Sequence, residues 1–181
     1  GNALNLLDTP GHADFSEDTY RTLAAVDSAI MLIDHAKGVE ARTRKLFEVC
    51  RLRRLPVITF INKLDRDGKD AMDLLDEVGR VLDIKMAPLN WPVGQGRDFR
   101  GVVGLPGRET TLFRAHGHGT EIIECETLPF EQARSNLGER LFVRAQEELA
   151  LLEAAGDSFS RDAFLSGDVS PVFWGSAMTN F

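Results

Sequence analysis

Ala3-Leu4-Asn5-Leu6-Leu7-Asp8-Thr9-Pro10-Gly11-His12 decides the fold. An apolar run, 3–7, reads as a buried strand, and Asp8 leaves its carboxyl end. Pro10 fixes its own φ, and Gly11 lets an N–H approach an oxyanion with no Cβ in the way. His12 follows, before a helical pattern from Glu17. In an open α/β sheet, ligands bind at the carboxyl ends of the strands, where an Asp can hold a divalent cation. The same residues also suit a plain strand-to-helix turn with an Asp cap. The rest of the chain has to choose.

Outward from that stretch, strands and helices alternate. Residues 17–27 have helical spacing, with Tyr20, Leu23, Ala24 and Asp27 on one face and Glu17 and Asp18 in the first turn. The continuous apolar run 28–34 suits a strand covered on both faces. Residues 40–53 are helical, with Val39, Thr43, Leu46, Phe47 and Cys50 at helical intervals. Pro56 opens a third strand over 56–61. Asp70 is placed to cap a helix of about a dozen residues, whose stripe is Ala71, Leu75, Val78 and Leu82. This order is that of a parallel sheet with right-handed crossovers.

Glycine and proline become frequent after 86. Short strand-like runs at 99–105, 110–113 and 120–127 predict a small antiparallel insert. His116-Gly117-His118-Gly119 reads as a polar turn, with no Cys or carboxylate group to complete a metal site. A long helix is expected over 131–153, with Leu137, Leu141, Ala145, Leu149 and Leu152 on one face. A short helix at 161–167 and a last strand at 170–174 follow. The division is a core of 1–85 and 168–181 around an inserted subdomain, 86–167. The fold class is α/β, a mostly parallel sheet flanked by helices, with a small α+β insert.

Two further loops follow predicted strands directly. Asn62-Lys63-Leu64-Asp65 leaves the strand 56–61. A carboxylate that accepts from the guanine N1–H and 2-amino group rejects adenine, which offers neither donor and leaves the carboxylate unpaired. Asp65 is suited to that role. Asn62 can bridge backbone segments and the base N7, and Lys63 can lay its aliphatic stem on the ring face. Ser176-Ala177 follows the last strand, and its small side chains let backbone N–H groups reach a base carbonyl. All three loops fall on one rim, in the order found in GTP-binding domains.

With 181 residues, 43% hydrophobic and 27% charged, the chain can bury a core. No apolar run approaches the ~20 residues of a membrane helix. No secretory leader is visible. Cys50 and Cys125 read as reduced thiols, in keeping with a cytoplasmic location. A net charge of −7 gives no global basic steering toward nucleic acid, and DNA is not an expected partner. The basic run Arg42, Arg44, Lys45, Arg51, Arg53 and Arg54 reads as a solvated helix face.

On these motifs the sequence resembles the translational GTPases. The stretches 7–23, Ala36-Lys-Gly-Val-Glu40, 59–67 and Trp91-Pro-Val-Gly-Gln-Gly96 are most similar to the bacterial class-II peptide-chain release factors, the release-factor-three group. The resemblance implies GTP or GDP and Mg²⁺ as ligands, with Asp8 holding Mg²⁺ through a water. It implies a nucleotide site at Asp8, Thr9, Pro10, Gly11 and His12, with Gly11 on the γ-phosphate and His12 as the catalytic residue orienting the attacking water. Asn62, Lys63 and Asp65 would read guanine, beside Ser176 and Ala177. The implied partners are the ribosome and a class-I release factor, which such GTPases displace after termination.

No Gly-x-x-x-x-Gly-Lys-Ser/Thr occurs in these residues, although such a loop supplies most phosphate contacts. The resemblance therefore implies a truncated GTPase domain lacking its first strand and phosphate loop. Such a chain is expected to bind guanine nucleotide poorly by itself. An elongation-factor-G-like translocation GTPase shares the first two motifs and is the alternative. A non-catalytic protein-binding module is the reading from a different class.

Overall fold

The computed structural model describes residues 3–8, 17–113, 125–156 and 159–179. Its first sheet has four parallel strands: β1 (Ala29–Asp34), β2 (Val57–Asn62), β3 (Lys85–Pro88) and β8 (Val169–Trp174), in the order β1-β2-β8-β3. Helices α1 (Glu17–Ala24), α2 (Ala41–Leu52) and α3 (Ala71–Leu82) join or precede the first three strands. This is the parallel α/β core expected from the alternation.

Local chemistry sets the elements. The Asp70 side chain accepts the amides of Met72, at 2.9 Å, and Asp73, which starts α3. Ala71, Leu74, Leu75, Val78 and Leu82 are all buried, a stripe at helical spacing. In the sheet, Ala29, Met31 and Ile33 lie beside Val57, Thr59 and Ile61, and this face carries the core. Thr59 and Ser170 are fully buried there and share a hydrogen bond of 2.8 Å. The Ser170 hydroxyl also donates to the Val57 carbonyl at 2.8 Å. Its one hydrogen is thereby spent, so Thr59 is the donor between the two hydroxyls.

The second sheet is antiparallel: β4 (Asn90–Val93), β5 (Gly101–Gly104), β6 (Glu109–Phe113) and β7 (Cys125–Pro129), in sequence order. It is the hairpin-built insert the composition predicts. His116 to Gly119 lie outside the described residues. The expected helix over 131–153 is three pieces: a 3₁₀ turn (Phe130–Ala133), α4 (Arg134–Leu137) and α5 (Glu139–Ala155). Gly138, at φ +76°, breaks it, a conformation that glycine takes at little cost. The predicted stripe survives, with Leu137, Leu141, Ala145 and Leu149 buried. Phe130 stacks on Phe142 with ring centroids 4.7 Å apart. The two sheets meet at Trp91 and Trp174, edge to face at 5.2 Å. Helix α6 (Arg161–Leu165) leads to β8.

Three expectations need correction. Residues 3–7 form no strand and are exposed, Leu4 by 94% and Leu6 by 80%. A strand exists only through its ladder, and this segment pairs with none of the described strands. β1 is therefore an edge, and its Ile30 and Leu32 stand 58% and 63% exposed. Helix α1 ends at Ala24, three residues before the expected end. Lys85–Pro88 belongs to the parallel sheet, although the rise in glycine and proline at 86 grouped Met86 to Pro88 with the insert.

Candidate guanine-nucleotide site

Parallel strands end on one side, so Asp34, Asn62 and Trp174 close the same rim. The loops that leave them are wired together. The Asn62 side-chain oxygen accepts the amide of Lys63 at 2.8 Å and that of Ala177 at 2.9 Å. Ser176, fully buried, donates its hydroxyl to the Asp65 carboxylate. Leu64, also fully buried, donates its amide to the Gly175 carbonyl at 3.3 Å, and Gly175 donates to Ile61 at 3.0 Å. Four residues singled out from sequence, Asn62, Asp65, Ser176 and Ala177, therefore form one cluster drawn from two loops 111 residues apart.

Lys63 sits at φ +72°, a region that residues with a Cβ seldom occupy. Two contacts hold it: its amide on Asn62, and its Nζ on Asp34 at 2.7 Å. Asp34 also accepts the amides of Ala36 at 2.9 Å and Lys37 at 3.2 Å. The Lys63 hydrogen bond holds the Asp34 carboxyl below the usual carboxylate range, against the upward push of burial. Asp65 keeps a side chain 19% exposed, with Arg66 Nε 3.8 Å from its second oxygen.

Asp34 was missed from sequence, although it ends the run 28–34 on the same rim as the other loops. His35 was missed too. Its ring is 1% exposed, and its Nε2 lies 2.7 Å from the Lys69 carbonyl. A carbonyl only accepts, so Nε2 carries the proton. Nδ1 then has no hydrogen-bond partner among the described residues and packs against Gly68, where a Cβ would come within 2.4 Å. The ring thus shapes the return of loop 63–69 to α3. Beside it, a cavity of 210 Å³ is lined by Leu64, Asp67, Arg140, Arg144 and Glu148.

Asp8 is exposed, in a segment without regular structure, and it does not end a strand of the sheet. Thr9, Pro10, Gly11 and His12 lie outside the described residues. No group of three or more His, Cys, Asp or Glu among the described residues could hold a metal. A larger cavity, 630 Å³, lies at the amino ends of the strands, against Leu55, Val57, Lys85 and Gly167, away from the rim where ligands of such sheets bind.

The whole chain, residues 1–181, matches the family described as the elongation factor Tu GTP binding domain. It is 52% identical to Peptide chain release factor 3 of Symbiobacterium thermophilum, over all of this chain and 35% of that protein. The chain thus spans about a third of the length of that curated relative. A crystal structure of a protein from Thermus thermophilus has the same fold, with a TM-score of 0.68 at 21% identity, over 95% of this chain and 27% of that one. The chain accordingly belongs to the elongation factor Tu GTP-binding domain family, as a translational GTPase domain related to release factor 3.

Proposed function

We propose that this chain is the guanine-reading part of a translation-termination GTPase, one that uses GTP in the cytoplasm to release class-I release factors from the ribosome. The single observation that supports guanine reading best is the Asn62–Ala177 and Asp65–Ser176 pairing. It holds the Asp65 carboxylate and the Ser176-Ala177 loop together at one rim before any ligand arrives, so little loop ordering is left for binding to bear. Asp65 accepts from the guanine N1–H and 2-amino group. Ser176 and Ala177 place small side chains where the base carbonyl would lie, and the Ala177 N–H, which is held by Asn62 Oδ1 at 2.9 Å, would turn from that oxygen to the carbonyl. Asn62 braces both loops, and the Lys63 stem covers the ring.

The phosphate side of the reading rests on Asp8, Thr9, Pro10, Gly11 and His12. Gly11 would donate to the γ-phosphate, His12 would orient the attacking water, and Asp8 would touch Mg²⁺ through a water. The cation supplies charge neutralisation for the phosphates when bound. The release role is supported by the identity to the release factor relative.

NMR titration of the ¹⁵N-labelled chain tests the reading even at millimolar affinity. GDP should shift the amides of Leu64, Asp65, Ser176 and Ala177, and ADP should leave them in place. Equal shifts with both nucleotides would refute guanine recognition. For the release role, the longer protein should recycle a class-I release factor on terminated ribosomes and fail to drive translocation. The opposite result favours the elongation-factor-G-like alternative.

A further inference from the structure

We infer that the inserted antiparallel sheet is the clamp that sets both guanine-reading loops, with Asn90 and Gly96 as its positioning residues. The inference rests on the guanine reading of those loops. One pin acts on β8. Its pairing with β3 stops at Pro88 and Val172, and no strand among the described residues pairs with the next stretch of β8 on that edge. Asn90 takes over. Its Nδ2 donates to the Trp174 carbonyl at 3.1 Å and its Oδ1 accepts the Trp174 amide at 2.7 Å. One side-chain amide thus replaces a ladder partner two residues before Ser176.

The other pin acts on the Asn-Lys-x-Asp loop. The Gly96 amide donates to the Leu64 carbonyl at 2.8 Å, between Lys63 and Asp65. Gly96 has φ +59°, and a Cβ there would lie 2.1 Å from the Asp67 carboxylate. The positive φ favours glycine, and a Cβ would also force the Asp67 carboxylate aside.

Both pins belong to residues 90–96, and that stretch is anchored from behind. Trp91 is fully buried, and its Nε1 donates to Glu148 of α5 at 2.7 Å. Arg144 bridges Glu148 and Asp70, the α3 cap, at 2.7 Å each. Arg140 meets Asp98 at 2.5 Å. A path of direct contacts therefore runs from α5 through β4 to both loops. Contacts whose only role is to glue the insert to the core would not tune which base is read.

Two readouts on ¹⁵N-labelled chain separate these roles, using Asn90→Ala, Gly96→Ala and, as a control elsewhere on the insert, Arg134→Ser. Without nucleotide, the amides of Leu64, Gly175 and Ala177 should exchange with solvent at least tenfold faster in the first two variants. Exchange within twofold of the parent overturns the clamp. With nucleotide, the preference for GDP over IDP, which lacks the 2-amino group, should narrow at least threefold in both variants and hold in Arg134→Ser. An unchanged preference overturns the positioning role. If the parent itself does not separate GDP from IDP, the guanine reading falls, and the exchange rates alone still decide whether the clamp exists. Should Asn90→Ala fail to fold, Asn90→Asp keeps the acceptor for the Trp174 amide, loses the donor, and should fall between parent and clamp-free behaviour.

Discussion

The Asn62 side-chain oxygen accepts the Ala177 amide at 2.9 Å, across 115 residues of chain. That bond joins the loop that carries Asp65 to the loop that carries Ser176. Removing it by Asn62→Ala also strips the Lys63 amide of its acceptor. The half-buried Lys63 amide loses its partner at about 1–3 kcal/mol if it stays dry, while the exposed Ala177 amide can turn to water. The expected outcome is loss of GDP-induced shifts at both loops together, seen in one NMR titration.

Asp65→Asn should change which base is read. An amide offers one donor and one acceptor, where the carboxylate offers only acceptors. Xanthine carries a carbonyl where guanine carries an amine, so it fits the amide. GDP binding should fall at least about tenfold, the scale of one lost charge-assisted hydrogen bond. XDP binding should rise. Competition titrations against both nucleotides check it.

Acid should release Lys63. Asp34 is held below its usual range first by the Lys63 hydrogen bond. A carboxyl lowered on folding stabilises the fold above its unfolded value, near ~3.9. That contribution is fully present at neutral pH and disappears as pH falls through the lowered folded value. Asp34→Asn should lack it at neutral pH, and its melting temperature should approach the parent's in acid. Melting curves from about pH 7 to about pH 2.5 check the convergence.

Ser170→Ala should weaken the centre of the parallel sheet. It removes the acceptor that the Thr59 hydroxyl needs and the donor to the Val57 carbonyl. A cost of about 1–3 kcal/mol is expected. Ser170→Ala with Thr59→Val should recover part of it, because both hydroxyls then leave together. Urea unfolding of the single and double variants checks the cycle.

Ile30 and Leu32 should drive self-association. They stand exposed on β1, beside Ile58 and Phe60 of the neighbouring strand. An apolar edge strand is an association surface. Ile30→Thr with Leu32→Thr should reduce concentration-dependent association in sedimentation velocity while the melting temperature changes little.

The rim was legible because each motif follows a strand with a clear apolar run, and parallel strands end together. Asn62, Asp65, Ser176 and Ala177 could be placed on one side without knowing the strand order. The order itself was not legible. Lys85–Pro88 is four residues long, too short for periodicity to separate it from the insert. Leu4 to Leu7 have the apolarity of a strand, but apolarity does not supply a hydrogen-bonding neighbour. Asn90 was hidden for another reason: its role depends on where β3 stops, a tertiary fact. Gly138 did stand in the sequence as a signal against one continuous helix, and the strong stripe around it masked that signal.

Strand β8 lies between β2 and β3, yet it is the last of the four in the chain. Synthesis runs from the N-terminus, so the sheet waits with an empty slot until residues 169–174 arrive. The intervening insert is made first, and it already carries Asn90 to receive Trp174. Closure of the slot brings Ser176 to Asp65 in the same event. The base-reading cluster is thus born whole and late, and a chain stalled before β8 displays a split sheet with no assembled cluster. Non-local closure of this kind is slow, which makes the interval before residue 174 emerges the period when this fold most needs shelter from its neighbours.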